Sequence, residues 1–321
     1  MRAAGFLLVG VMLTASVVSG TYAKYVTQDS TQDTARVAKF GVVATVSGDL
    51  FGDSYAAADG NSIQAWGANS PTVSAATKTE KVVAPGTKND KGLTISVTGT
   101  PEVSTALTFG DAKDASDKTY VNTDIVLNSG DYGVMVEYKG TVTSDTVTSY
   151  YKLTDGTYSL APANTAVDGS VKLYQLKDAA NAASAYLPVK WKVDTTECAN
   201  VAAVKTALTF TTTAVPNSDL STNYGSKTVT WEWPIDTNDG LDTILGNMIS
   251  DSGDDNFAVV KKSGDNYVAI KYQEVNADTD SANKVQVAYT GATAPTKMGD
   301  SSVCAVLTVS FGAKLTVTQV D

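Results

Sequence analysis

Apolar and polar residues alternate along a stretch near the start of the chain. From Arg36 onward Lys39, Gly41, Thr45 and Ser47 lie on one face, and the even positions of the other face are apolar: Ala38, Phe40, Val42, Ala44 and Val46. A period of two is typical of a half-buried strand. We therefore expect a strand over residues 38–46, with Phe40 and Val42 buried against a sheet.

Two further segments have the pattern of β-hairpins. Residues 150–160 place short apolar runs on either side of Asp155-Gly156, a dipeptide that favours the positive φ angles of a tight turn. Residues 257–272 surround Ser263-Gly264-Asp265-Asn266 in the same way. We expect an antiparallel strand pair in each segment.

Alternation returns in two other places. It resumes at residues 93–97, shortly after the turn pair Pro85-Gly86, and again over residues 303–320 at the end of the sequence. Between the first strand and this turn, residues 54–76 are small, polar and rich in glycine, which is typical of a loop.

Helical periodicity is confined to two short segments. Around residues 241–249, apolar side chains recur on one helical face, with Asp239 as a candidate N-cap and Gly253 as a stop; they are Leu241, Ile244, Leu245, Met248 and Ile249. Residues 201–208 form a second candidate helix. With so little helix, the pattern favours a mainly β protein: an antiparallel β-sandwich with inserted hairpins and a few short helices.

The first residues have the pattern of a secretory signal peptide. Met1-Arg2 gives a positive start, an apolar run follows, and small residues up to Ala23 suit a signal peptidase. We expect a signal peptide over residues 1–23, cut between Ala23 and Lys24. A prepilin leader is the alternative, because Gly5-Phe6 resembles its cleavage site, but Gly10 stands where pilins usually carry Glu.

Charge and composition exclude several classes of function. The formal net charge is −10, and an acidic chain without basic clusters repels nucleic acid. The chain has no histidine, which removes Ser-His and Cys-His nucleophiles and His-ligated zinc. The carboxylates are scattered in predicted turns. We therefore expect neither an enzyme nor a nucleic-acid-binding protein.

Two cysteines, Cys198 and Cys304, allow two interpretations. In an oxidising compartment they could form a disulfide that stabilises the fold by about 4–5 kcal/mol. Cys304 lies in an apolar, strand-like run, so a pair of buried thiols is equally consistent with the sequence.

A calcium site has weak support. Residues 236–242 read Asp-Thr-Asn-Asp-Gly-Leu-Asp, and Asp236, Asn238 and Asp242 are candidate ligands. In an EF-hand loop the glycine is sixth and a glutamate is twelfth, whereas here the glycine is fifth and the twelfth residue is Asn247. A capped helix start explains the segment better, and we expect no cofactor other than this calcium candidate.

Trp231 and Trp233 lie two residues apart, on one face of a predicted strand. Paired indoles can form a platform for stacking sugars, but in a β-sandwich they more often belong to the core. The platform interpretation requires polar groups that converge nearby.

The sequence GTYAKYVTQDSTQDTARVAKFGV, residues 20–42, resembles the start of TasA/camelysin-like secreted proteins of Gram-positive bacteria, which a SipW-type signal peptidase processes. Residues 82–109 resemble the strands of that family around its Pro-Gly turn. Residues 306–320 resemble its C-terminal strand pair. Residues from about 110 to 299, which include Trp231 and Trp233, have no clear counterpart in short members.

The resemblance implies a jelly-roll-like sandwich over residues 37–321, with a large insertion around 110–299. It also implies a secreted, self-assembling subunit of an extracellular or biofilm-matrix fibre. In such fibres a mature N-terminal arm, here residues 24–36 starting Lys24, Tyr25, Val26, Thr27, completes the sheet of a neighbouring subunit. Head-to-tail pairing of this kind yields filaments.

The expected partners follow from these interpretations. The chief partner is a second copy of the chain, with other matrix proteins or glycans as additional candidates and the membrane involved only during export. A secreted module that binds glycan or cell wall through Trp231 and Trp233 is the alternative function. Both place the protein outside the cell, at its surface or in the matrix.

Cleavage between Ala23 and Lys24 is directly testable. N-terminal sequencing of the secreted protein should begin at Lys24, because the small-residue site follows the apolar run. A first residue at or near Phe6 would instead establish the prepilin interpretation.

Overall fold

The computed structural model describes residues 35–52, 54–55, 64–65, 73–74, 81–112, 122–140, 149–162, 165, 171–209, 213–235, 237–250, 257–275, 284–287 and 303–320. Within these residues the protein is mainly β, and its sheets are antiparallel apart from one strand pair. The mainly β class predicted from the alternation is therefore confirmed.

The described strands, in chain order, are β1 (Val43–Ser47), β2 (Ser54–Tyr55), β3 (Gln64–Ala65), β4 (Val73–Ser74), β5 (Thr87–Thr98), β6 (Thr105–Asp111), β7 (Val126–Leu127), β8 (Gly130–Glu137), β9 (Tyr151–Thr154), β10 (Thr157–Leu160), β11 (Leu173–Ala182), β12 (Lys190–Val193), β13 (Thr196–Cys198), β14 (Ser226–Glu232), β15 (Phe257–Ser263), β16 (Asn266–Ala269), β17 (Lys271–Val275), β18 (Lys284–Val287), β19 (Val303–Val306) and β20 (Ala313–Gln319). The described helices are α1 (Val201–Leu208), α2 (Leu220–Asn223) and α3 (Asp239–Ser250).

The central sheet is built around β5, the longest of the described strands. Its order is β1-β5-β14-β12-β13, and the short strand β3 pairs with the first residues of β5. The predicted Pro85-Gly86 turn leads into β5, where Gly86 has a φ of 83° and Thr87 N–H bonds to Ala84 O at 3.0 Å. Only glycine adopts this φ easily at the third position of a type II turn.

Both predicted hairpins form, and together they close a barrel. β9 and β10 join through Asp155 and Gly156, whose φ angles of 49° and 75° match a type I′ turn. β15 and β16 form the second hairpin, which pairs with the first through β10 and β16. With β8 and β11 these strands make a closed six-stranded barrel, a closure that the alternation pattern did not predict.

Two smaller sheets contain the end of the chain. The order β18-β17-β19-β7 includes the parallel pair β17–β19, and β20 pairs with β6 over its whole length. The predicted alternating segment 303–320 is therefore divided between two sheets, because residues 307–312 leave the strand conformation apart from an isolated bridge between Ser310 and Thr123.

The predicted helices occur at the expected places. α1 spans residues 201–208 as predicted, and its first turn is capped by Asn200, whose Oδ1 accepts from Ala203 N–H at 2.9 Å. α3 begins at Asp239, and the carbonyl of Asn238 accepts the N–H of Asp242 at 3.0 Å. The apolar stripe of α3 is buried except for Ile249, which was predicted to face inward and is exposed.

Two barrel strands bury both of their faces. In β8, Met135 points into the barrel, whereas Tyr132 and Val134 belong to the main core. In β15, Val259 likewise joins the main core, and α3 packs across β8, β11 and β15. The barrel is therefore fused to the rest of the molecule through a shared apolar layer, at least in the described residues.

Residues 110–299, the predicted insertion, contribute strands to more than one sheet. They supply the barrel strands, and they also supply β12, β13 and β14, which complete the central sheet beside β5. Among the described residues, none of the helices is long and apolar enough to cross a membrane.

The first strand differs from its prediction. β1 covers Val43–Ser47 instead of residues 38–46, and Phe40 lies before it with 40 % of its surface exposed. Val42 and Ala44 do pack against a small apolar cluster that contains Val97 and Leu107. The expectation that Phe40 is buried was wrong, because the chain leaves the line of the strand at Gly41, where φ is 31°.

The exposure of Phe40 leads to a prediction about the stability of the protein. Phe40→Asp should change the free energy of unfolding by no more than about 0.5–1 kcal/mol, since exposed substitutions rarely cost more. Leu107→Ala, at a position that is 2 % exposed, should cost about 2–5 kcal/mol. Urea denaturation of the two variants measures both values, and equal losses would show that Phe40 belongs to the core.

Candidate functional site

The β1 edge of the central sheet is the first candidate site. β1 forms ladder hydrogen bonds with β5, and no other described strand pairs with it. Val43 and Val46 on this strand are 56 % and 37 % exposed, and Val37, upstream of it, is 82 % exposed. An unpaired edge with exposed apolar side chains is a surface on which another strand can add.

Glu102 holds the segment that leads into β1. Its carboxylate accepts two hydrogen bonds from the Arg36 guanidinium, at 2.5 and 2.7 Å, and a third from the Lys39 N–H at 2.9 Å. The N–H of Glu102 in turn donates to Lys39 O at 2.7 Å. We call these four contacts the Glu102 clamp.

The two charged groups of the clamp, Arg36 and Glu102, each stabilise the charged form of the other. The hydrogen bonds from Arg36 and Lys39 lower the pKa of Glu102 to about 2, and the same pairing raises the pKa of Arg36. Both groups are therefore charged at every pH near neutrality. No sequence pattern links two residues that are 66 positions apart, so the clamp could not be predicted.

Two glycines bring the clamped segment close to the turn after β5. Gly99 has a φ of 129°, and a Cβ atom at this position would lie 2.3 Å from the carbonyl oxygen of Gly41. Any larger residue at position 99 would push the two backbones apart. The segment from Arg36 to Gly41 thus lies against residues 99–102, beside the connection between β5 and β6.

A second unpaired edge, within the described residues, is that of β20. β20 pairs with β6, and no other described strand pairs with β20. Leu315 and Val317 of β20 pack, only partly buried, on the same small cluster as Val42 and Ala44. Two unpaired edges therefore flank one apolar cluster, within the described part of the chain.

The predicted cleavage site and most of the arm cannot be placed. Ala23 and Lys24, together with Tyr25, Val26 and Thr27, lie outside the described residues, which begin at Ala35. Of the arm, only Ala35 and Arg36 are described, and both are exposed.

The proposed sugar platform is not on the surface. Trp231 and Trp233 share one face as predicted, but both indoles are buried in the main core. Trp231 Nε1 donates to Leu50 O at 2.5 Å, and Trp233 Nε1 donates to Asp242 Oδ1 at 3.1 Å. A stacking platform requires an exposed ring face, so the packing alternative is correct in this structure.

Asp242 points into the core instead of into a calcium loop. Its Oδ1 accepts from the Tyr186 hydroxyl at 2.7 Å as well as from Trp233, whereas its Oδ2 is buried with no hydrogen-bond partner. Asn238 is exposed, and Asp236 lies outside the described residues. Across the described residues, no three His, Cys, Asp or Glu side chains are grouped to hold a metal.

Burial is the largest cause of the pKa shifts of Asp242 and Tyr186. Burial raises the pKa of the Asp242 carboxyl above its ordinary value, although Tyr186 and Trp233 oppose the rise by donating hydrogen bonds. Burial also raises the pKa of Tyr186, and the Asp242 carboxylate adds to that effect. Sequence reasoning missed Tyr186, because a lone tyrosine between alanines and a proline has no distinctive pattern.

A cleft of about 920 Å³ opens next to this pair. Its lining includes Tyr186, Lys190, Lys192, Glu197 and Glu232. Lys192 Nζ lies 3.9 Å from Glu232 Oε1, and Lys192 is opposite Glu197 in the strand register. The charges largely neutralise one another, so the cleft is a polar surface rather than an apolar ligand pocket.

Cys198 and Cys304 are both thiols in the structure, so the disulfide alternative is not the one observed. Each is buried in the main core, Cys198 on β13 and Cys304 on β19. Burial raises the pKa of the Cys198 thiol, which disfavours the reactive thiolate.

Comparisons with protein-family models, with curated proteins and with solved structures find no match to this chain.

The buried carboxyl makes stability depend on pH. The pKa of Asp242 is higher in the folded state than the unfolded value of about 3.9. Relative to Asp242→Asn, the wild type should therefore be most stable below that value and lose stability as pH rises through the raised folded pKa. Each unit of difference in pKa corresponds to about 1.4 kcal/mol.

Urea denaturation of both proteins between about pH 3 and pH 8 measures the effect. Asp239→Asn is the matched control, because Asp239 is an exposed carboxylate in the same helical turn. The assignment would be contradicted if the free energy of unfolding of the wild type, minus that of Asp242→Asn, stayed constant or increased as the pH rose.

Proposed function

We propose that this protein is a secreted structural subunit of an extracellular fibre, of the kind found in biofilm matrix, and that it assembles with itself head to tail. In this proposal the N-terminal arm, residues 24–36, of one subunit adds a strand to the sheet of the next. The resemblance of residues 20–42 to TasA/camelysin-like proteins supports it. We also infer that the central sheet and the strands facing it form a jelly-roll-like sandwich, supported by the apolar cluster between β5 and β6.

The observation that carries the proposal is the unpaired edge of β1. A natural sheet normally protects such an edge with charges, a proline or a covering segment. Here the edge strand exposes Val43 and Val46, and no described strand other than β5 pairs with it. The chain upstream of this strand has a polar composition that suits a donated strand.

The strength of such a contact can be estimated. About half of the backbone groups of a five-residue edge strand point outward, which allows about five hydrogen bonds, each worth roughly 0.5–1.5 kcal/mol net. That total is below the roughly 8 kcal/mol of a micromolar contact, before the cost of ordering the arm. Apolar side chains of the arm, Tyr25 and Val26, must therefore contribute by packing near Val43 and Val46.

Electron microscopy of the mature protein tests the proposal. The wild type should form regular filaments, and deletion of residues 24–34, which leaves Arg36 and its clamp intact, should give a monomer that melts as the wild type does. Val43→Lys should also prevent filaments, because a lysine at the edge opposes strand addition. Leu160→Lys is the control, because Leu160 is a similarly exposed aliphatic residue on β10, which belongs to the barrel and not to the sheet of β1.

The arm deletion decides the matter. If the protein without residues 24–34 forms filaments with the same repeat as the wild type, the subunits join through another surface. If the mature wild-type protein stays monomeric at the concentrations and pH values found outside the cell, the proposed structural function is wrong.

A further inference from the structure

The free edge of β1 creates a competition that the proposed function must resolve. The arm is covalently attached to the strand that it would complete in a neighbour, and only residues 37–42 lie between them. A connection of that length is long enough to form the loop of a hairpin. The arm could therefore fold back and cover the β1 edge of its own subunit.

Mass action favours that intramolecular pairing. A strand tethered by a short flexible linker has an effective concentration in the millimolar range, far above micromolar concentrations of secreted protein. Without a device that opposes folding back, most subunits would satisfy their own edge and remain monomers. Filament formation requires the linker to be held away from the edge.

The Glu102 clamp is placed to do this. β1 has β5 on one side and its unpaired edge on the other. The clamp fixes the linker against residues 99–102, which follow β5 and lead to β6, so the linker is held near the β5 side and not at the open edge. Gly99 and Gly41 allow the close backbone approach that this path needs.

We propose that the Glu102 clamp prevents the arm from pairing with its own β1 strand and directs it to a second copy of the chain. This inference rests on the proposed function. A hairpin within one subunit would have to release Arg36 and both backbone bonds of Lys39 from Glu102. Arg36 and Glu102 thus act as positioning residues for assembly, and they need not contact the neighbouring subunit.

Glu102→Gln, Arg36→Gln and the double variant of the mature protein test the inference. Each single variant loses the charge pairing, so we expect the filament growth rate, measured by sedimentation, to fall at least ~10-fold as the arm closes on its own edge. The filaments of the double variant should grow no more slowly than those of either single variant. Exchanging the charges, as Arg36→Glu with Glu102→Arg, should restore much of the rate.

Glu137→Gln is the matched control, because it breaks a comparable ion pair, Lys172 with Glu137, on the barrel. It should assemble at the wild-type rate. Thermal melting of all variants shows whether a loss of filaments reflects unfolding, and we expect no lower melting temperature for the clamp variants.

A synthetic peptide of residues 24–34 separates folding back from other causes. It should bind monomeric Glu102→Gln protein at least ~10-fold more weakly than the wild-type monomer, because the edge is already covered. Deleting residues 24–34 from Glu102→Gln should restore peptide binding to the level of the deletion variant that keeps Glu102.

The outcomes distinguish the two proposals. If the wild type forms filaments and Glu102→Gln forms them at the same rate, or binds the peptide equally well, the clamp has no directing role and only this inference fails. If the wild type forms no filaments and the arm-deleted protein binds no peptide, the proposed function fails and the inference fails with it.

Discussion

The need to pair the backbone groups of every strand governs this structure. A strand at the edge of a sheet presents N–H and C=O groups that must find a partner, water or a cover. The barrel meets this need by closing on itself, so that each of its six strands has two neighbours. The central sheet does not close, and at its β1 edge the requirement is left to something outside the described residues.

Trp233 and Asp242, which the sequence offered as candidates for a sugar platform and a calcium site, instead lie in the core and connect its elements. Trp233 and Tyr186 both donate to the same oxygen of Asp242, Oδ1, which ties α3 to the end of β14 and to the loop before β12. Asp124 performs a similar task by accepting from Trp191 Nε1 at 3.0 Å and from the first N–H of α1. Buried polar groups that find partners in this way fix how elements pack, at little net gain in stability.

Local features of the fold could be predicted from the sequence, whereas non-local ones could not. Asp155-Gly156 and Pro85-Gly86 dictate their turns through φ angles that few other residues adopt, and the apolar stripe of α3 has a clear period. The closure of the barrel depends on pairing between β10 and β16, more than a hundred residues apart, for which no short pattern exists. Phe40 was misassigned because alternation continued through Gly41, where the backbone turns away. The candidate site was predicted only as an arm and a strand, and the clamp that joins them depends on Glu102 in a distant turn.

The most direct test of the account is amide hydrogen exchange of β1, Val43–Ser47, measured residue by residue in the monomer and in the assembled protein. The account predicts that the edge-facing amides of β1 exchange quickly in the monomer and become strongly protected on assembly, while amides of the closed barrel change little. Equal exchange of β1 in both states, with new protection appearing on β20 or another strand, would contradict it.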